Sequence, residues 1–384
     1  MSSTLMDRTP MTPLDRAGES RSGEPSLSQA KSSDDAQNAS TTGSSDRTSQ
    51  SALVLSAEQI PAASPHELRR ESALSPFAEV FAGPEGLHPG ARWLVYLAMC
   101  YVTYVLLDFL TNGLRPEPIP LWWTMVAEAR MMLAVILPAF VMARIEGRSF
   151  DAFGLPVKRA FGRDFWAGTL WGIASLTVLI LALAATRAYS FGPLNVHGAR
   201  IFKFAVYYAV FFLMTGFFED FLMRGYSQWV LAQGMHFWPA AALLSILFGL
   251  LHLMNPGEAK IGIAAVVSIG FFFCLTLRRT GTLWFAVGFH MAWDWGESFL
   301  YSVPDSGTTT VGHLMKASLH GPDWLTGGTV GPEASYLLFV LIAGLWFLFS
   351  RAYPEVKYQV GKRISKVPPL PPPPPSTMDF LHSS

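Results

Sequence analysis

The sequence predicts an all-α fold: a polytopic membrane helical bundle of about eight transmembrane helices, with a disordered N-terminal and a Pro-rich C-terminal tail. Three observations predict it. The chain is 51% hydrophobic and 15% charged, whereas an ordinary soluble domain carries about 25% charged residues. From Trp93 onward the apolar residues gather into runs, close to the roughly 20 residues a helix needs to cross the hydrocarbon core. Before Phe77 there is no aromatic residue at all.

Residues 1–85 are rich in Ser, Thr and Asp. Such a segment cannot bury enough apolar surface to offset its ordering entropy, so disorder is expected. It also lacks the basic start and apolar core of a signal peptide. The apolar runs then fall at roughly 93–112, 122–143, 166–188, 203–232, 239–255, 260–277, 281–302 and 334–351. The fourth is long and must tilt or protrude; the fifth is short. Pro138 lies near the end of the second and is expected to kink it. SFDAFGLP, Ser149 to Pro156, reads as an interfacial turn. Gly168 and Gly172 form a GxxxG spacing that lets helices approach closely. PPLPPPPPS reads as a polyproline II segment. The expected organisation is a cytoplasmic tail 1–85, a membrane domain 86–352 with a motif-bearing core at about 200–300, and a cytoplasmic Pro-rich tail 353–384.

A net charge of +0 gives no reason to expect nucleic acid as a partner, and two cysteines make neither a disulfide framework nor a zinc ribbon. The expected partner of the apolar surface is the lipid bilayer. Positive charge sets orientation. Arg144 to Arg163, the Arg278–Arg279 turn and the residues from Arg351 to Lys366 form three basic clusters. With eight spans all three fall on the side of the N-terminus, so both termini are expected in the cytoplasm.

Ionisable groups are costly at mid-membrane and mark functional sites. The fourth span holds Glu219, Asp220 and Arg224; the fifth holds His252; the seventh holds His290 and Asp294, with Glu297 further out. Asp108, Glu128 and Arg130 sit near the ends of the first two spans. At about 1.5 Å rise per residue, Glu219, His252 and Asp294 lie about 20 Å from their cytoplasmic ends and His290 about 14 Å. Three helices therefore offer acids and histidines at one level. Asp220 and Arg224 are spaced i,i+4 and face the same way, which leaves Glu219 for another partner. His290 and Asp294 repeat that spacing, as do Phe248 and His252, where the aromatic can wall the imidazole.

FEDFLMRG (Phe218–Gly225), FGLLH (Phe248–His252) and HMAWD (His290–Asp294) resemble, in order, the EExxxR, FxxxH and HxxxN/D motifs of the CPBP intramembrane proteases. That family includes CAAX prenyl proteases and bacteriocin-processing or self-immunity proteins. The resemblance implies a helical bundle around a cavity open to the cytosol, and a peptide or protein substrate, lipidated or not. It implies that Glu219 and His252 activate a water, and that His290 and Asp294 stabilise the oxyanion or position the substrate. Arg224 would hold the acidic pair. It leaves open whether one divalent metal such as zinc takes part, with Glu219, His252 and His290 as ligand candidates, or whether catalysis is glutamate-dependent. One position departs from the pattern: Asp220 stands where the family has a second Glu. HExxH, GxSxG and GxGD are absent. The alternative expectation is a non-proteolytic membrane scaffold or sensor that binds a partner in the same cavity. A proton-coupled transporter ranks lower, because no internal repeat is visible.

Overall fold

A chain inside a bilayer finds no water for its amides, so it must satisfy them within a helix. The computed structural model describes residues 82–83, 86–255, 260–358 and 360, all within the unit Arg69–Ser384. Nearly all of the tail expected at 1–85, and the polyproline run, lie outside the described residues.

The helices are α1 (Pro89–Asn112), α2 (Trp123–Ile145), α3 (Arg163–Ala185), α4 (Ala199–Arg224), α5 (Tyr226–Met235), α6 (Phe237–Leu251), α7 (Lys260–Thr280), α8 (Trp284–Trp295), α9 (Asp323–Thr326) and α10 (Tyr336–Ala352). A π-helical turn, Gly296–Leu300, extends α8. Among the described residues there are also short 3-10 turns at Phe150–Phe153, Val157–Arg159, His252–Met254 and Pro332–Ala334, and two antiparallel strand pairs of two residues each. β1 (Ala82–Gly83) meets β2 (Gly86–Leu87), with Ala82 opposite Leu87. β3 (Tyr189–Ser190) meets β4 (Ser318–Leu319), with Tyr189 opposite Leu319, and so ties the loop after α3 to the loop after α8.

Six segments are long and apolar enough to cross a membrane: α1, α2, α3, the α4–α5 run Ala199–Met235, Phe237–Met254 and α7. The 17-residue α10 is shorter, and α8 with its π-turn makes the eighth apolar segment. The protein is an all-α, multi-pass integral membrane protein. Its outer face is apolar: on α1, Tyr101, Val102, Leu106 and Phe109 are exposed, where they meet lipid instead of water. Charge goes inward. Asp220, Arg224, Asp294 and Glu297 are all buried.

Two spans differ from the sequence reading. The fourth does not simply tilt. It breaks at Gly225, where ψ is −115°, between α4 and α5. A Cβ at that position would lie 2.4 Å from the Phe221 carbonyl oxygen, so glycine makes the break possible. The seventh starts at Trp284, because Gly281 has φ +80° and closes the turn after α7. Pro138 lies inside a continuous α2.

α8 packs between α3 and α4. On the α3 side the backbones touch. A Cβ at Gly168 would fall 2.0 Å from the Phe285 carbonyl oxygen, and one at Gly172 2.4 Å from that of Phe289. On the α4 side a Cβ at Gly216 would reach within 3.2 Å of the His290 Cβ. These close approaches fix the helix that carries His290 and Asp294.

Candidate active site

The last two turns of α4 hold three ionisable groups with two environments. Arg224 Nη1 donates to Asp220 Oδ1 at 2.6 Å, and both side chains are almost fully sealed, 1% and 0% exposed. Arg224 Nε also donates to the Gly270 carbonyl at 3.3 Å. Its guanidinium lies 4.8 Å from the centre of the Phe248 ring and 5.2 Å from that of Phe273. A desolvated cation over an aromatic face gains about 2 kcal/mol, which offsets part of the cost of burying it. Glu219, one residue earlier, is instead half-buried and lines a cavity of about 580 Å³. Asp220 and Arg224 lie behind that cavity's wall.

His290 sits among three carboxylates. Its Nε2 is 3.6 Å from Glu219 Oε2 and 3.5 Å from Asp294 Oδ2, and its Nδ1 is 3.5 Å from Asp220 Oδ2. These are electrostatic contacts, too long for good hydrogen bonds; His290 Nδ1 and Asp220 Oδ2 are both buried without a hydrogen-bond partner. His252 follows the last turn of α6. Its Nδ1 lies 2.8 Å from the Phe248 carbonyl oxygen. A carbonyl can only accept, so Nδ1 carries the proton and Nε2 of the neutral ring keeps its lone pair. Phe248 packs edge-on against the imidazole, centroids 4.7 Å apart. Phe248 thus separates His252 from Arg224.

Glu219, His252, His290, Asp294 and Phe248 all line the one cavity. So do residues the sequence reading gave no role. Glu128 of α2 accepts from Thr215 Oγ1 at 3.1 Å. Asp305 and Glu333, from the loops around α9, line the far end. Glu128 lies near the end of its span, and the other two lie outside the apolar spans. The only signal for them was an acid in an otherwise charge-poor loop.

The cavity reaches the start of α2 at Thr124, the segment before α7 at Asn255, and the exposed Thr308 and Thr309, with Tyr207 of α4 on its wall. On α2 and α7 these are the ends opposite the basic clusters. At the basic end the bundle is closed by fully buried Phe221 and Tyr226. There Tyr226 donates to Glu146 Oε1 at 2.6 Å and Arg92 Nε donates to the same oxygen at 3.0 Å.

The metal that the family resemblance leaves open does not fit the residues named for it. Among the described residues, the donors of Glu219, His252 and His290 do not come within 4.8 Å of one another as a set of three; the set that does is Asp294, Asp305 and Glu333.

Residues 201–296 match the family described as Type II CAAX prenyl endopeptidase Rce1-like. The matched stretch runs from the start of α4 to the end of α8. It contains Glu219, His252, His290 and Asp294, and excludes Asp305 and Glu333. No curated protein matches the chain.

Proposed function

We propose that this chain, whose segment 201–296 matches the Type II CAAX prenyl endopeptidase Rce1-like family, is an intramembrane endopeptidase that uses Glu219 as its general base. The observation that carries the reading is the divided use of two adjacent acids. Asp220 is consumed by Arg224 at 2.6 Å, while Glu219 faces the cavity.

In this reading a water in the cavity gives its proton to Glu219, with His252 Nε2 as a second acceptor. The hydroxide oxygen adds to the peptide carbonyl carbon, and the carbonyl π electrons move to its oxygen. An N–H of His290 donates to that oxyanion. Asp294, one turn on at 3.5 Å, holds the imidazole. Collapse breaks the C–N bond, and the proton on Glu219 passes to the departing amine. Positioned donors and acceptors of this kind are each worth about 10²–10⁴ in rate.

The membrane orientation bears on where substrate enters. With the basic clusters and both termini in the cytoplasm, the cavity opens on the extracytoplasmic side. The cytosol-facing cavity implied by the family resemblance requires the opposite insertion. Only one of the two expectations holds.

The deciding experiment is cleavage of a tagged peptide library by purified protein in detergent, wild type against Glu219→Gln. Loss of cleavage in a folded variant supports the protease. Full cleavage by the variant removes Glu219 as the base.

A further inference from the structure

We propose that Asp294, Asp305 and Glu333 form a binding site for a divalent cation that prefers oxygen ligands, with Ca2+ the best fit. Each offers one carboxylate oxygen, and the three oxygens lie within 4.8 Å of one another. Two oxygens on one Ca2+, each at about 2.3–2.6 Å, stand up to about 5 Å apart; on Mg2+, at about 2.0–2.1 Å, they stand at most about 4 Å apart. Three oxygens spread to that limit share a centre about 2.8 Å from each, so Ca2+ needs a smaller contraction than Mg2+.

A cluster of acids alone would not carry this. The second observation is Glu297. It is 0% exposed, and both its carboxylate oxygens are buried with no hydrogen-bond partner. The charged groups that act on it most are Glu333, Asp305 and Asp294; the Trp293 side chain is also near, without completing a hydrogen bond. A fourth carboxylate is thus buried without a partner inside the field of the other three. Among the described residues no Lys or Arg pairs with any of the four, and His290 contacts only Asp294 of them. Burying one unpaired carboxylate already costs several kcal/mol. A bound dication is the group that compensates such a set.

Two of the carboxylates are also held from behind. Ser298 Oγ donates to Asp305 Oδ2 at 3.1 Å. Ser306 donates to Glu333 Oε2 from its backbone N at 3.0 Å and from its Oγ at 2.6 Å. Asp305 and Glu333 each keep the other oxygen for a ligand, which is how outer partners orient metal-binding acids. The π-turn supplies the fold's part. It extends α8 so that Glu297 and Ser298 meet the loop bearing Asp305. The site shares Asp294 and the cavity with the protease reading but does not rest on that reading, and two of its three ligands lie outside the matched family segment.

The test uses the full-length protein in detergent, stripped by chelator and titrated with CaCl2. Calorimetry should give one Ca2+ per chain, and the thermal unfolding midpoint should rise with Ca2+. The double variant Asp305→Asn/Glu333→Gln should weaken binding at least about tenfold, the loss of roughly 1.4 kcal/mol. Loss of like charge should let the variant fold, with a Ca2+-free midpoint at or above that of wild type. Terbium luminescence gives a second readout, because Trp293 lines the same cavity: emission should be excited through tryptophan, displaced by Ca2+, and lost in Asp305→Asn alone. No binding by wild type up to about 10 mM, beyond the range of weak Ca2+ modules, overturns the proposal. So does binding that the variants leave unchanged.

Discussion

Arg224 Nη1 and Asp220 Oδ1 are 2.6 Å apart in a place that solvent does not reach, while the neighbouring Glu219 opens onto the cavity. Stability and chemistry should therefore separate between adjacent residues. Asp220→Asn strands a buried guanidinium and should cost about 3–5 kcal/mol, read as the unfolding midpoint in detergent. Glu219→Gln should cost less than about 1 kcal/mol yet lower cleavage at least about 10²-fold. The reverse pattern would exchange the two roles.

Phe248 touches both the imidazole of His252 and the guanidinium of Arg224. Phe248→Ala should open a void against both and lose about 3–5 kcal/mol. Phe248→Leu keeps most of the volume and should lose less. If both variants match wild type in stability and cleavage, Phe248 neither walls the histidine nor shields the arginine.

The α3–α8 contact leaves no room for a methyl group. Gly172→Leu would drive its side chain into the Phe289 carbonyl, already 2.4 Å from a Cβ. The helices must separate, and His290 moves with α8. Overpacking costs typically about 1–3 kcal/mol, and here the obstacle is backbone, so the upper end or beyond is expected. Size-exclusion profile and yield of folded protein, beside those of Gly344→Leu at an open position, provide the check.

Burial pushes the Asp305 carboxyl well above the ordinary range, with the charges of Asp294 and Glu333 adding to it. A carboxyl raised in the folded state stabilises most where it is protonated in both states, below about pH 3.9. That contribution is lost as pH rises toward the folded value. Without Ca2+, then, stability should fall as pH climbs from about 4, and Asp305→Asn should flatten the fall. An identical slope in wild type and variant would dismiss Asp305 as the group responsible.

Access can be read directly, because Cys100 and Cys274 are both buried. Thr309→Cys places a thiol at the exposed cavity mouth. A membrane-impermeant maleimide should label it in intact cells if the basic clusters face the cytoplasm. Labelling only after lysis would favour the opposite insertion and a cytosol-facing cavity.

The sequence by itself determined the helical membrane class, because apolar runs of bilayer length allow little else. It also placed Asp220 and Arg224 on one helix face, since i,i+4 spacing is fixed by helix geometry. It could flag Gly168 and Gly172 as a close-approach spacing, without saying which helix approaches. Only the tertiary structure decided that the partner is α8, that the fourth span breaks at Gly225, and that His290 stands among three carboxylates from two helices. It alone brought Asp305 and Glu333, 28 residues apart in sequence, beside Asp294. The physical reason is the same in each case. Spacing within a helix is local and follows from 3.6 residues per turn. Loop acids carry no periodicity, and their meeting depends on which helix ends the packing of glycine faces draws together.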